Sequence, residues 1–168
     1  MRKRGFEICN EFKSQNINLP TRKTMHSVGY DMEAADTVII PSIWKTIFSN
    51  LRNYLNGCKN FNKITPILIP TGLKAYCLED EYYMLVNRSS GPKKGFVMSN
   101  SIGIIDADYY GNETNDGHFY FQFWNFNKED LIIHKGDVVG QVIFMKYLTV
   151  DNDSSEGIRT GGFGSTDK

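Results

Sequence analysis

The chain has 168 residues, of which 40% are hydrophobic and 13% aromatic, so it carries enough apolar surface for one folded domain. Its 19 basic and 19 acidic residues cancel, which removes the positive field that binders of nucleic acids or membrane surfaces usually carry. No segment has the apolar length of a transmembrane helix or of a signal peptide. We therefore expect a cytoplasmic protein with no nucleic-acid or membrane partner.

The cysteines and histidines do not follow metal-site spacings. The three cysteines form no CxxC pair, and the three histidines show neither HExxH nor HxH. We therefore predict no disulfide framework and no protein-ligated metal, and we interpret the histidines as surface or satisfied polar residues.

One segment, from Ser42 to Leu55, has apolar residues at helical spacing. Ser42 stands at the N-cap position, and Gly57 follows where a C-terminal cap belongs. The pattern predicts an amphipathic helix. Packing of its apolar face on its own subunit is favoured, and a partner-binding helix is the alternative.

The remainder of the chain has the short alternating patterns of an all-β protein. Residues 73–78 and 119–126 alternate apolar faces, with Phe121 and Phe123 on one of them. The strand Val138–Phe144 contains Gly140, which predicts a bulge or a close backbone approach. Turns are expected at residues 91–92, 115–117 and 135–137.

Two segments carry groups suited to phosphate and water chemistry. Arg88, Ser89 and Ser90 follow a strand-like run and offer a guanidinium, hydroxyls and backbone N–H groups to phosphate oxygens. Further along, Asp106 and Asp108 lie two positions apart, so one of them could orient and deprotonate a water, although a plain turn is an equal alternative.

The C-terminal part adds two more segments. A turn at Gly136 enters a strand that carries Gln141, and residues 161–166 form a glycine-rich run that ends in two hydroxyls. Glycines let a backbone approach phosphates closely. A P-loop is disfavoured, because no Lys precedes the Ser-Thr pair.

Together with His26–Ala35, these segments resemble, in the same order, the five motifs of the trimeric dUTPases. The resemblance runs from about Gly5 to Thr166. It implies an all-β, dUTPase-like β-clip or jelly-roll-type barrel with one inserted helix at about residues 42–55. It also implies a β domain at residues 1–156 and a flexible arm at residues 157–168 that closes an active site.

The resemblance further implies a role for each matching residue in the hydrolysis of dUTP to dUMP and pyrophosphate. Asp106 would be the base for the attacking water, with Gln141 and Arg88 completing the catalytic set and Asp31 supporting them. Substrate contacts would come from Ser89, Ser90, Asn100, Ile105, Tyr109, Arg159, Phe163, Gly164, Ser165 and Thr166. Asn100 and the hairpin at residues 98–105 would bind uracil, and Tyr109 would exclude a ribose 2′-hydroxyl.

The family also implies a cofactor and an assembly. Mg²⁺ would be held by the substrate phosphates and water, with no carboxylate cage from the protein. The protein would be a homotrimer with active sites at subunit interfaces, and the arm would reach a neighbouring subunit's site. One departure is Asn87, which stands before Arg88 where the family commonly has Gly or Pro.

Two alternatives remain at the level of sequence. A dCTP deaminase shares the fold, but it uses a glutamate base and lacks the glycine-rich arm. A binding or regulatory protein that has lost turnover could use the helix at residues 42–55 as its partner surface, yet it would have no need for Asp106, Tyr109 and Gln141 together.

Overall fold

The computed structural model of the chain describes residues 2–157 together with Arg159 and Gly162. Phe163, Gly164, Ser165 and Thr166 lie outside the described residues. Within the described part, the strands in chain order are β1 (Gly5–Ile8), β2 (Tyr30–Glu33), β3 (Val38–Ile40), β4 (Ile67–Pro70), β5 (Leu73–Tyr76), β6 (Glu81–Val86), β7 (Phe96–Met98), β8 (Gly103–Asp106), β9 (Tyr120–Asn125), β10 (Leu131–Ile133) and β11 (Val138–Lys146). The helices are α1 (Ile43–Leu55) and α2 (Ser90–Lys93), with short 3₁₀ turns at Asn10–Phe12 and Ala107–Tyr109.

The strands pair antiparallel in four small sheets around one core. The largest sheet has the order β2-β11-β6-β8, and a three-stranded sheet has the order β4-β9-β7. Two further pairs, β1-β5 and β10-β3, complete the described part, in which the ladders stay separate and do not close into one barrel. The all-β prediction is confirmed, and the arrangement is compatible with a jelly roll.

The predicted strand faces form the core. Phe121 and Phe123 are fully buried on β9, as their alternation indicates. On β11 the register shifts between Val138 and Gly140, which confirms the predicted bulge. A side chain at Gly140 would collide with the ring of Phe121, so the close backbone approach is present as well.

Helix α1 has the predicted bounds and ends in a Schellman motif. The N–H of Gly57, which has a φ of 74°, donates to the carbonyl of Tyr54, and the N–H of Cys58 donates to that of Asn53. The predicted capping role of Ser42 is wrong, because its hydroxyl donates to the carbonyl of Asn127.

The preferred expectation for the apolar face of α1 is also wrong. No residue of the helix is buried, and the side chains of its C-terminal half, such as Leu51 and Leu55, remain mostly exposed. The helix is instead attached near its N-terminus, where Trp44 Nε1 donates to the carbonyl of Phe126 at 3.0 Å. Lys45 pairs there with Glu129 at 3.1 Å. The spacing of apolar residues predicted the helix correctly, because helix formation depends on neighbouring residues. Burial of the apolar face depends on whether another part of the chain packs against it.

Candidate active site

A cleft of about 350 Å³ lies beside β8 and contains five of the predicted site residues. We call it the Asp106 cleft. Its predicted lining residues are Asn100, Ile105, Asp106, Tyr109 and Arg159. Met98, Gly103 and Ile104 also line it and lie in the hairpin range that was predicted to bind uracil. Sequence reasoning did not assign the other lining residues to the site, namely Leu68, Leu85, His118, Tyr120 and Gln122. For Tyr120 and Gln122 a signal existed, because both lie on the face of β9 opposite its buried phenylalanines.

The turn at residues 98–105 positions Asn100 in the cleft. Ser101 adopts a φ of 61°, and the N–H of Ile102 donates to the carbonyl of Asn100 at 2.6 Å, so the chain reverses sharply. The predicted hairpin is present only as this reversal, because β7 pairs with β9 whereas β8 pairs with β6. The turn therefore links two sheets, and its backbone is accessible at the corner between them.

Asp106 precedes the 3₁₀ turn that follows β8, and Tyr109 is the last residue of that turn. The carboxylate of Asp106 is 57% exposed, whereas Tyr109 is only 6% exposed. Burial raises the pKa of the Tyr109 phenol further above its ordinary value of 10, and the ring is uncharged at neutral pH. A solvent-facing carboxylate thus lies near a rigid, neutral aromatic wall.

Arg159 contacts this turn from the C-terminal segment. Its guanidinium pairs with Asp106 and donates from Nε to Asp108 Oδ1 at 2.8 Å. Gly162 lies so close to the ring of Tyr109 that a Cβ there would collide with it. Arg159 and Gly162 therefore lie against residues that line the Asp106 cleft of the same chain.

The remaining predicted residues form a second group, the Asp31 cluster, which consists of Asp31, Arg88 and Gln141. Gln141 Nε2 donates to Asp31 Oδ1 at 2.9 Å, and Arg88 Nε lies 3.5 Å from the same oxygen. The Asp31 side chain is 4% exposed, and its Oδ2 has no hydrogen-bond partner within the described part of the chain. A Cβ at Gly29 would come within 2.8 Å of Gln141 Oε1, so the backbone presses close to this amide.

Ser89 and Ser90 lie beside the Asp31 cluster, at the start of the single-turn helix α2. Both residues are exposed. Gly91 packs against Asn87, whose amide is buried with neither polar atom hydrogen-bonded to any described residue. The predicted turn at residues 91–92 is therefore a helical turn that presents two hydroxyls to solvent.

The Asp106 cleft and the Asp31 cluster lie far apart in one chain. Along β6, Asp106 is opposite Tyr82 and Gln141 is opposite Val86, on strands that flank β6 from its two sides. At about 3.4 Å per residue and about 4.8 Å between strands, the two Cα positions are roughly 16 Å apart. A water bound to Asp106 cannot also reach Gln141 of the same chain.

Among the described residues, no group of three His, Cys, Asp or Glu side chains is placed to hold a metal ion. His118 is buried and its Nε2 accepts from the N–H of Gly72 at 2.8 Å, which confirms a satisfied polar histidine. No described helix is long and apolar enough to cross a membrane.

Comparisons with known proteins identify relatives of the chain. The dUTPase family model matches residues 59–167. A deoxyuridine 5′-triphosphate nucleotidohydrolase of Lactococcus lactis is 44% identical over 169 residues, which cover 99% of each chain. The crystal structure of a dUTPase from Streptococcus mutans is 34% identical with a TM-score of 0.72 and covers 88% of this chain and 99% of its own.

A more distant structure, a mutant dUTPase from phage phi11 of S. aureus described with a structural Mg(II) ion, is 16% identical with a TM-score of 0.63. It covers 94% of this chain and 99% of its own, and at this identity it shows the fold alone. The closer matches favour a dUTP nucleotidohydrolase over a dCTP deaminase and over a protein without turnover.

Proposed function

Because the chain belongs to the dUTPase family and is a hydrolase that acts on dUTP, we propose that it forms dUMP and pyrophosphate with Asp106 as the base for the attacking water. The exposure of Asp106 at the mouth of a cleft carries this proposal, since a base must reach both the water and the solvent. Attack on the α-phosphorus then needs mainly positioning and charge stabilisation.

The Asp106 cleft provides the nucleoside subsite in this proposal. Asn100, the adjacent turn and Ile105 bind uracil, and the ring of Tyr109 lies against the deoxyribose. Cytosine presents the opposite donor pattern at its position 4, and each buried group left unpaired costs about 1–3 kcal/mol. Gly162 covers the ring of Tyr109 in the isolated chain, so the arm moves aside when the nucleotide enters.

The Asp31 cluster and the neighbouring hydroxyls provide the phosphate subsite. Arg88, Ser89 and Ser90 bind phosphate oxygens. Gln141 uses one N–H for Asp31, which leaves its second N–H and its Oε1 for the α-phosphate and the catalytic water. Asp31 is too buried to react, and it orients Gln141 and Arg88.

The distance of roughly 16 Å between Asp106 and Gln141 in one chain supports an active site built from more than one subunit. We propose a homotrimer in which the Asp106 cleft of one protomer faces the Asp31 cluster of another. This arrangement supplies both the base and the phosphate ligands to one nucleotide.

The arm completes the site in the proposed domain plan, with residues 1–156 as the β domain and 157–168 as the arm. Arg159 breaks its ion pairs with Asp106 and Asp108 and binds the distal phosphates instead. Phe163 stacks on uracil, while Gly164, Ser165 and Thr166 close over the phosphates. Closure removes bulk water and strengthens the remaining electrostatic contacts.

Mg²⁺ is the proposed cofactor. The donors near the phosphate subsite are a guanidinium, hydroxyls and an amide, which suit a triphosphate and leave the ion to phosphate oxygens and water, as Mg²⁺ prefers. When bound, the ion would offset negative charge on the leaving pyrophosphate.

The proposed setting is the cytoplasm, where removal of dUTP limits uracil in DNA and supplies dUMP for thymidylate synthesis. The three cysteines are unpaired thiols, and Cys58 is exposed, which suits a reducing compartment.

The direct test is a pair of carboxamide substitutions on the same turn. Asp106 and Asp108 both pair with Arg159 and both side chains are 57% exposed, so Asp108→Asn is a matched control for Asp106→Asn. Pyrophosphate release from dUTP should fall about 10²–10⁴-fold for Asp106→Asn and stay within a few-fold for Asp108→Asn. Equal rates for the two variants would remove Asp106 from the chemistry.

A further inference from the structure

The hydroxyl of Tyr109 is held from two sides by residues outside the family motifs. It donates to the carbonyl of His118 at 3.2 Å and accepts from Asn115 Nδ2 at 2.6 Å. A phenol has one proton to donate, so these two partners fix both the position and the direction of the O–H bond. The ring is therefore anchored at its far end, and packing alone does not determine its place.

Asn115 has little freedom to turn its amide over. Its Oδ1 accepts from Asn112 Nδ2 at 2.8 Å and from the N–H of Gly117 at 3.2 Å. If the Asn115 amide were reversed, its Nδ2 would face these two donors and could accept neither hydrogen bond. The amide is therefore held with Nδ2 towards Tyr109. Asn112 is 8% exposed and also donates to the carbonyl of Tyr109 at 2.9 Å. This bond connects the loop that contains Asn115 to the 3₁₀ turn that contains Tyr109.

The other partner of the hydroxyl is equally fixed. His118 is 2% exposed, and its Nε2 accepts from the N–H groups of Thr71 and Gly72 at 3.2 Å and 2.8 Å. Its ring lies 4.0 Å from that of Tyr120 and 4.9 Å from that of Phe12. The carbonyl that accepts the hydrogen bond from Tyr109 thus belongs to a residue that is held by contacts with three parts of the fold.

We infer that Asn115 is a positioning residue that sets how strictly the enzyme rejects ribonucleotides. The inference rests on the proposed function, in which the ring of Tyr109 lies against the sugar. The ring of Tyr109 excludes a 2′-hydroxyl only if it stays in place when the sugar binds. A displacement of about 1 Å is enough to weaken the selectivity of a site of this kind. Asn115 prevents that displacement by holding the ring at its hydroxyl.

The test compares kcat/KM for dUTP and UTP in three variants. Asn115→Ala should lower the preference for dUTP about five- to tenfold, mainly because UTP becomes a better substrate. Tyr109→Phe should lower it by a similar factor. The double variant Tyr109→Phe/Asn115→Ala should show no further fall, because Asn115 acts through the hydroxyl that is already absent.

Thr114→Ala is the matched control, since it removes a 2.7 Å bond from Thr114 Oγ1 to Asn112 Oδ1 in the same loop without touching Tyr109. Its preference for dUTP should equal that of the wild type. The inference is overturned if Asn115→Ala keeps the wild-type preference for dUTP. It is also overturned if the fall in preference of the double variant equals the product of the falls in the two single variants. If Asn115→Ala does not fold, an unchanged preference in Tyr109→Phe overturns it as well. Failure of the proposed function would give a different result, because Asp106→Asn would then hydrolyse dUTP at the wild-type rate.

Discussion

The Asp106 cleft and the Asp31 cluster hold their carboxylates in opposite environments. The side chain of Asp106 is 57% exposed at the mouth of a cleft, whereas that of Asp31 is 4% exposed and is bonded to Gln141. An exposed carboxylate can take a proton from a water and release it to solvent, while a buried one is suited to orient its neighbours. Under the proposed function, the Asp106 cleft and the Asp31 cluster are therefore two half-sites with different duties, and variants of each should fail in different ways.

After the exchange of the Asp106 carboxylate, the largest effect is expected at the Asp31 cluster. Gln141→Leu removes the donor proposed for the α-phosphate and leaves Asp31 without its amide partner. We expect kcat for dUTP to fall about 10²–10³-fold, the usual cost of losing one such donor. Gln15→Leu is the control, because its amide oxygen accepts from Lys135 Nζ at 3.0 Å, outside both half-sites. A kcat of Gln141→Leu equal to that of this control would contradict the role of the cluster.

The next effect is expected at the arm. Arg159→Ala should raise KM for dUTP about 10–100-fold, since hydrogen bonds to charged groups contribute about 1.5–3 kcal/mol each. Arg159→Lys should recover only part of the loss, because an ammonium lacks the guanidinium fork. Steady-state kinetics of the two variants measure this. If both keep the wild-type KM, Arg159 has no role in binding the substrate phosphates.

A smaller effect, on stability, is expected beneath the Asp106 cleft. Burial lowers the pKa of His118 from 6.5 to about 4. Between these two pH values the imidazole is mostly protonated in the unfolded chain and mostly neutral in the folded chain. The free energy of unfolding should therefore fall by about 2 kcal/mol between pH 7 and pH 5 through this group. Urea unfolding of His118→Gln should show a flatter pH dependence, and that of the exposed control His26→Gln should match the wild type. Equal slopes for all three would show that His118 is not held neutral.

The smallest effect is expected far from both half-sites, at the end of α1. Gly57 has a φ of 74°, so Gly57→Ala should lower the free energy of unfolding by about 1 kcal/mol. Asn56→Ala is the control, since its φ of −88° suits alanine. Hydrolysis of dUTP should not change in either variant. A loss of activity in Gly57→Ala would link α1 to the site.

The local features of the fold were predictable from the sequence. The bounds of α1, the bulge at Gly140 and the inward face of β9 each follow from a few neighbouring residues. The exposed apolar face of α1 was not predictable, because hydrophobic periodicity reports that a face exists and does not report what covers it.

The sequence singled out residues that gather in the Asp106 cleft and the Asp31 cluster, but it did not predict their geometry. Asp106, Asn100 and Tyr109 do share a cleft, yet their motif gave no sign of Asn115, which reaches Tyr109 through a loop of its own. The contact between Arg159 and Asp106 spans 53 residues, a separation at which spacing rules carry no information. The separation of the Asp106 cleft from the Asp31 cluster likewise appears only in the strand register.

The most direct test of the two half-sites mixes chains that are defective in different ones. Asp106→Asn and Gln141→Leu, each nearly inactive alone, are unfolded together in equal amounts and refolded. If each site combines a cleft and a cluster from different protomers, about a quarter of the sites in randomly mixed trimers regain both groups, and activity rises to about that fraction of wild type. Refolding Asp106→Asn with the double variant Asp106→Asn/Gln141→Leu should restore nothing. Activity in the first mixture that merely equals the sum of the two separate variants would contradict a shared site.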